Sequence, residues 1–133
     1  MKRIILVGLL AGAAMLVANF VLNDIVNAIL PSLQTEYQNT AVFRPWSDPR
    51  MSLYFLYPFF IGLALALVWE RTEGIYLPWS RFAFLAWLTI SVPGMLITYA
   101  SFQVSRWMIL GWLLTGLVDL LLASWIYHKM LKR

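Results

Sequence analysis

The chain has 133 residues, of which 62% are hydrophobic and 12% are charged, and its net charge is +4 at pH 7. This composition excludes an ordinary soluble domain, and the absence of cysteine excludes disulfides, thiolate metal sites and thiol redox chemistry. The ten basic residues are scattered between apolar segments and form no basic stripe, so we expect no nucleic-acid partner.

Four apolar segments fill most of the chain. Each is about as long as the roughly 20 residues that a helix needs to cross a bilayer, and each is apolar on nearly all sides, as lipid-facing helices are. The sequence therefore predicts an all-α integral membrane protein, a single domain over 1–133 in which four transmembrane helices form a compact antiparallel bundle. The predicted helices cover about 4–28, 50–70, 79–104 and 107–129, and an external loop covers about 31–49.

The first predicted helix carries a row of asparagines in its outer half. Asn19, Asn23 and Asn27 are spaced at i, i+4 and i+8, so they lie along one face of the helix. An asparagine in hydrocarbon needs a hydrogen-bonding partner, so we expect this face to contact another helix. The functional alternative is an outward-facing polar vestibule or a docking face for another subunit.

Glycines mark the expected helix contacts. Gly8 and Gly12 form G-x-x-x-G in the first helix, a spacing that lets another helix backbone approach closely. Gly62 in the second helix and Gly116 in the fourth are similar. Because this motif has weak specificity in apolar sequence, it predicts packing within the chain and contact with another chain equally well.

The external loop ends in a pattern that is typical of a helix start. Ser47 or Asp48 is suited to the N-cap, and Pro49 is suited to the first helical turn. Arg44 beside Trp46 predicts a cation–π contact or an interaction with a lipid phosphate. We interpret these residues as a capped helix start with interfacial anchors rather than as a ligand site.

Asp119 is the one charged residue near the middle of a predicted transmembrane helix. A charge at the bilayer centre costs at least about 2.5–3.5 kcal/mol on insertion scales, so such residues usually face the protein interior or a cavity. Ser91 lies at a similar depth in the third helix, and Pro93 cannot donate to the carbonyl of Thr89 one turn earlier. We predict that Asp119 is largely neutral and donates to the Ser91 hydroxyl or the Thr89 carbonyl, across the third and fourth helices. The alternative is a proton or cation site.

The distribution of lysine and arginine predicts the orientation. Four crossings place the two termini and the central connection on one side, which then carries seven basic residues: Lys2, Arg3, Arg71, Arg81, Lys129, Lys132 and Arg133. The other side carries three, Arg44, Arg50 and Arg106. The positive-inside bias predicts that both termini are cytoplasmic, and short loops suit a bacterial inner membrane.

The sequence contains no recognisable catalytic arrangement, so we expect no enzyme. The single histidine, His128, lies among lysines at the end of the fourth helix, which favours a solvated helix end over a metal, haem or pigment ligand. We expect no cofactor, although bound lipid is possible. The expected partners are membrane lipids, together with either other membrane-protein subunits or further copies of the chain. Two functions remain. The favoured one is an accessory, structural subunit of a larger membrane complex; the alternative is a small homo-oligomeric transporter or channel with Asp119 as its proton or cation site.

Overall fold

The computed structural model of the chain describes residues 1–72 and 77–131. The described residues form five α-helices and one 3-10 helix, and contain no strand. The elements are α1 (Lys2–Ile29), α2 (Pro31–Tyr37), the 3-10 helix (Pro49–Phe55), α3 (Tyr57–Thr72), α4 (Trp79–Ser101) and α5 (Arg106–Met130). Four helical spans are long and apolar enough to cross a membrane. Three of them are α1, α4 and α5, and the fourth consists of the 3-10 helix continued by α3. The predicted all-α class and the four long apolar helices are confirmed.

The two ends of the helix bundle differ in what they carry. At one end the Arg3 guanidinium donates a hydrogen bond to the carbonyl of Met130, and Glu70 lines a small depression beside Arg3. We call this the terminal end. At the opposite end, α2 packs against the α4–α5 turn through the Glu36 carboxylate, which accepts from the backbone N–H of Ser105 at 2.6 Å. We call this the loop end.

The helices are arranged in the order α3, α1, α5, α4, and the ring is incompletely closed. α1 packs extensively against α3 and α5, and α5 packs extensively against α4. The backbones of α3 and α4, in contrast, come close to each other at few positions. They meet near the terminal end, where the rings of Trp69 and Phe82 are in edge-to-face contact with centroids 5.0 Å apart. The bundle is therefore closed at the terminal end and less compact between α3 and α4 than the sequence predicts.

Glycines explain which helix pairs come close. A Cβ added to Gly8 would lie 2.9 Å from Cα of Leu63, and one added to Gly12 would lie 2.7 Å from Cα of Phe59. A Cβ on Gly62 would lie 2.9 Å from the backbone nitrogen of Gly12. The α1–α3 crossing therefore depends on the absence of side chains at all three glycines.

Apolar side chains form two clusters with a space between them. The larger cluster, in the half towards the terminal end, joins all four long helices and includes Ile4, Ala11, Leu65, Ala83 and Tyr127. The smaller cluster lies at the loop end and contains Leu33, Val104, Met108 and Ile109. Alanine-rich contacts in the larger cluster bring the helix axes close together, and the smaller cluster closes the loop end.

The segment expected to be an external loop contains α2. Pro31 occupies the first turn of this helix, where the missing N–H of proline leaves no intrahelical hydrogen bond unmade, and Leu33 is buried in the loop-end cluster. The loop prediction for about 31–49 is therefore wrong over Pro31–Tyr37. Pro31 is suited to a first helical turn, but this residue alone does not predict a helix. The helix is stabilised by burial against residues near the α4–α5 turn, which are distant in sequence.

Two helix boundaries also differ from the sequence-based ones. The second predicted helix begins as a 3-10 helix, whose N-cap is Asp48 and whose first turn contains Pro49, as expected; the α-helical part starts only at Tyr57. The third predicted helix ends at Ser101 rather than near 104, because Phe102 is extended and the Ser105 hydroxyl accepts from the Met108 N–H to start α5.

Candidate functional site

A cavity of about 320 Å³ lies between the two apolar clusters. Its walls are mostly apolar, and polar side chains line it from α1, α2, α4, α5 and the residues near the start of α3. The polar and aromatic lining residues are Asn19, Asn23, Tyr37, Tyr54, Tyr57, Ser91, Trp112, Thr115 and Asp119; Met15, Ile61, Met95, Met108 and Leu120 are among the apolar ones. The volume is at the lower end of the range of small-molecule sites.

Asp119 lines this cavity from α5. Its side chain is only 6% exposed, and among the described residues nothing forms a hydrogen bond with its Oδ1 atom. Asn19 faces the carboxyl from α1, and Tyr54 and Tyr57 line the same cavity. A buried polar atom without a partner costs about 1–3 kcal/mol, so this carboxyl is positioned at the expense of stability.

Asn19 is the buried member of the predicted asparagine row. Its side chain is 6% exposed, and its amide nitrogen donates to the hydroxyl of Tyr57 at 3.0 Å. This bond links α1 with α3 beside Asp119, as expected for an amide in an apolar surrounding. It also orients the Tyr57 hydroxyl, whose own proton remains available to an acceptor in the cavity.

The cavity contains no positive side chain. None of its lining residues is a lysine, arginine or histidine. Within residues 1–72 and 77–131, the ion pairs are Arg44 and Arg50 with Asp48, outside the cavity. The charge of Asp119 is therefore balanced either by a proton on the carboxyl itself or by a cation from outside the chain.

Aromatic residues cover the cavity at the loop end. The Trp112 indole N–H donates to the Tyr37 hydroxyl at 2.6 Å, and both rings lie near Phe43, with centroids 5.4 and 6.3 Å from it. Burial raises the pKa of the Tyr37 phenol, against the smaller lowering effect of the Trp112 hydrogen bond. The phenol therefore stays neutral at physiological pH, and α2 acts as a cover over the cavity.

The sides of the cavity are less closed than its two ends. Four lining residues are themselves exposed on the surface of the protein: Asn23, Tyr54, Tyr57 and Ile90. They come from α1, from the region where the 3-10 helix meets α3, and from α4, which lacks extensive contact with α3. The opening therefore faces sideways, between α3 and α4.

The structure brings some predicted site residues together and separates another. Ser91 lines the cavity at the α4–α5 crossing, where its Oγ atom lies 3.0 Å from the position of a Cβ on Gly116. Thr89 is exposed and outside the cavity, and its hydroxyl donates to the carbonyls of Leu85 and Ala86 in its own helix. Asp119 faces α1 rather than forming the expected hydrogen bond to α4: among the described residues, neither Ser91 nor Thr89 bonds to it. Ser91 and Asp119 do line the same cavity, but the position of a residue along its helix does not give the direction in which its side chain points.

The predicted loop residues form their own small unit. The Arg44 guanidinium donates to the Asp48 carboxylate at 3.0 Å, and this carboxylate also accepts from the backbone N–H of Arg50 at 2.9 Å. These hydrogen bonds, the backbone one first, hold the pKa of Asp48 below its ordinary value. Trp46 contacts Tyr54 edge-to-face, with centroids 5.6 Å apart. The Arg44 guanidinium therefore bonds to Asp48 instead of forming the predicted cation–π contact with Trp46. Among the described residues, a cation–π contact joins Arg106 and Trp107.

His128 lies far from the cavity, in the last turn of α5 at the terminal end, with its ring centroid 6.4 Å from that of Trp69. Across the described parts of the chain, no three histidine, cysteine or acidic residues are grouped as metal ligands. Glu73 and Tyr76 of the central connection, and the basic residues Lys132 and Arg133 used for the orientation, lie outside the described residues.

Sequence reasoning missed three aromatic residues of the site, Tyr37, Tyr57 and Trp112. A signal for Trp112 was present: Trp112, Thr115 and Asp119 are spaced at i, i+3 and i+7, so they share one face of α5. No local signal identified Tyr37, since its position depends on α2 folding over the loop end.

No protein-family model, curated protein or solved structure matches this chain, so the assignment of the site depends on its own geometry.

Proposed function

We propose that this chain is an integral membrane protein whose four long helices cross a bacterial inner membrane with both termini in the cytoplasm. Several observations support this proposal. The helices have the required length and hydropathy, and many large apolar side chains point outwards. Arg3 and Met130 meet at one end, which also carries most of the basic residues of the described helices, as the positive-inside bias requires of a cytoplasmic face.

We further propose that the protein is a small transporter whose proton or cation site is Asp119. One observation carries this proposal: a buried carboxyl, unpartnered at Oδ1 and without a countercharge, faces a cavity. Carboxyl groups at membrane depth mark ion pathways and proton relays, because their burial is too costly to persist without a use. The cavity lies within a single chain, so the site does not require an interface between copies.

The carboxyl and its surroundings suit a carried cation or proton. In the empty site the acid is neutralised by its own proton, and binding of a cation would release that proton to the cavity. The mostly apolar walls of the cavity lower the local dielectric, which strengthens the attraction between a cation and the carboxylate. Tyr57 and Asn19 supply polar groups beside the bound ion.

Flux measurements in liposomes test this function. Purified protein is reconstituted with an internal pH-sensitive dye, and proton flux is followed after a gradient of pH, of an alkali cation or of an organic ammonium ion is imposed. We expect flux above that of protein-free liposomes, and its loss in Asp119→Asn, which keeps the shape of the side chain and removes its charge. Thr89→Val is the matched control, since Thr89 is exposed and bonds only within its own helix. Absence of flux, or equal flux in Asp119→Asn, would contradict the proposal.

A second candidate is the accessory subunit that the sequence favoured. A specific observation supports it: in α4, a Cβ added to Gly94 would meet no atom within 4 Å, so this glycine is not used for packing inside the chain. α4 is also the least covered of the four long helices. The face around Gly94 would then receive a helix of another subunit or of a second copy. Native mass spectrometry from the source membrane tests it: other polypeptides in fixed ratio would support the subunit, whereas the chain alone would not.

A further inference from the structure

We propose that the cavity binds an organic ammonium ion with a small apolar body, which reaches Asp119 sideways from the membrane between α3 and α4. This inference rests on the proposed function and specifies the class of cation that the site carries.

The charge requirement comes from the residues around the carboxyl. Asp119 is buried and unpartnered at Oδ1, and the cavity lining contains no basic side chain. An ammonium group satisfies both deficits, since it supplies N–H donors to Oδ1 and a positive charge to the carboxylate. Tyr54, Tyr57 and Trp112 add aromatic faces, which attract cations.

The cavity walls distinguish an organic cation from an inorganic one. A metal ion needs several oxygen or nitrogen ligands at short distance, but Asp119 is the one acidic residue in the lining and most of the remaining surface is apolar. Met15, Ile61, Met95 and Leu120 instead offer contacts to a hydrocarbon body. A volume of about 320 Å³ fits a ring with a short side arm rather than a long lipid chain.

The route of access follows from the position of the opening. At the loop end, the Tyr37–Trp112 hydrogen bond and the apolar contacts of Leu33 cover the cavity. At the terminal end, the larger cluster and the Trp69–Phe82 contact close it. Two exposed lining residues, Tyr57 at the start of α3 and Ile90 in α4, lie on the two sides of the gap between these helices. An amine dissolved in its neutral form in the hydrocarbon would enter here, take the proton of Asp119 and remain as the ammonium–carboxylate pair.

Binding to the protein in lipid nanodiscs tests the proposal. Isothermal titration calorimetry is carried out with three probes of similar shape, phenethylamine, 2-phenylethanol and phenylacetate, and empty nanodiscs correct for partitioning into lipid. We expect phenethylamine to bind more tightly than the neutral alcohol, and phenylacetate not to bind. Asp119→Asn should weaken phenethylamine by at least about tenfold, equivalent to about 1.4 kcal/mol, and leave the alcohol unchanged. Equal affinities for amine and alcohol, or no effect of Asp119→Asn, would overturn the proposal.

A pair of surface variants tests the route independently of the carboxyl. Ile90→Trp places a large ring at the opening, whereas Leu88→Trp places one on an exposed part of the same helix that does not line the cavity. We expect slower association of phenethylamine in Ile90→Trp alone, measured by stopped-flow protein fluorescence. Equal rates in both variants would exclude this route. Because both positions are exposed, neither change should prevent folding.

The two proposals fail in different ways. Amine binding that depends on Asp119, without flux in liposomes, would retain the ligand class and remove the transport function. Proton or alkali-cation flux that depends on Asp119, without amine binding, would retain the transport function and overturn the ligand class.

Discussion

Asp119 is buried without the set of partners that usually stabilises a buried carboxyl. Its Oδ1 atom has no hydrogen bond from any described residue, and the Asn19 amide that interacts with the carboxyl also donates to Tyr57. A residue that serves only as an interhelical link would be expected to have both oxygens bonded. The local geometry therefore favours a site over a structural link.

Replacing Asp119 by leucine separates these two roles. We expect Asp119→Leu to raise the free energy of unfolding by about 1–3 kcal/mol, because it removes an unsatisfied buried polar group and adds apolar contacts. The measurement is reversible unfolding in mixed detergent micelles. A loss of stability instead would show that the carboxyl links helices, and Thr89→Leu serves as a control at an exposed position outside the cavity.

Asp48 gives a prediction about pH at the loop end. The backbone N–H of Arg50 and the Arg44 guanidinium lower the pKa of Asp48 in the folded protein. A lowered folded pKa means that this carboxylate stabilises the loop at neutral pH, and that the stabilisation is lost as the pH falls through the folded pKa, below 3.8. We expect the Arg50 amide resonance in the NMR spectrum to shift over that acidic range and not between pH 5 and 8. In Asp48→Asn, which keeps the cap without a titrating group, a shift over the same range would contradict the assignment.

At the scale of elements, helix contacts are set by where the side chains are smallest. Gly8, Gly12 and Gly62 bring α1 and α3 into backbone contact, and Gly116 lies against Ser91 between α4 and α5. The sequence identified all four glycines as packing positions but left open whether their partner was in the same chain. The distances of Gly8 to Leu63, of Gly12 to Phe59 and of Gly62 to Gly12 assign the first three to an intrachain crossing.

Two glycine substitutions should have opposite effects. Gly62→Ala places a methyl group 2.9 Å from the Gly12 nitrogen, so we expect it to lower the free energy of unfolding by about 1–3 kcal/mol through overpacking. Gly94→Ala meets no atom, and we expect a gain of up to about 1 kcal/mol from the better helix propensity of alanine. Thermal unfolding in detergent measures both. Similar effects of the two changes would contradict the packing described for α1 and α3.

The cover formed by α2 is the element that sequence reasoning did not anticipate. An isolated helix of seven residues has little stability of its own in water. The position of α2 depends on contacts that Leu33, Glu36 and Tyr37 make with residues about 70 positions later in the chain. Such contacts leave no periodic signal in the sequence around α2. Pro31, at the first helical position, was the one local indication.

For the molecule as a whole, the absence of cysteine makes orientation directly testable. We expect Gln38→Cys, at the exposed loop end, to react with a membrane-impermeant maleimide in intact cells. Lys2→Cys, at the exposed terminal end, should react only after the membrane is disrupted, since we propose from the distribution of basic residues that this end is cytoplasmic. Labelling of the opposite cysteine would reverse the orientation, and the cysteine-free parent chain is the background control.

The sequence by itself determined the all-α class, the four long apolar helices, and Asp119, Asn19 and the packing glycines as the unusual residues. These features depend on composition and on spacing along one helix, which are local properties. The tertiary structure alone decided that α2 covers the loop end, that α3 and α4 diverge, and that Asp119 faces Asn19 across a cavity while Thr89 points outwards. The physical reason is that the rotation of each helix, and the space left between helices, follow from how unequal side chains pack against one another across the whole chain.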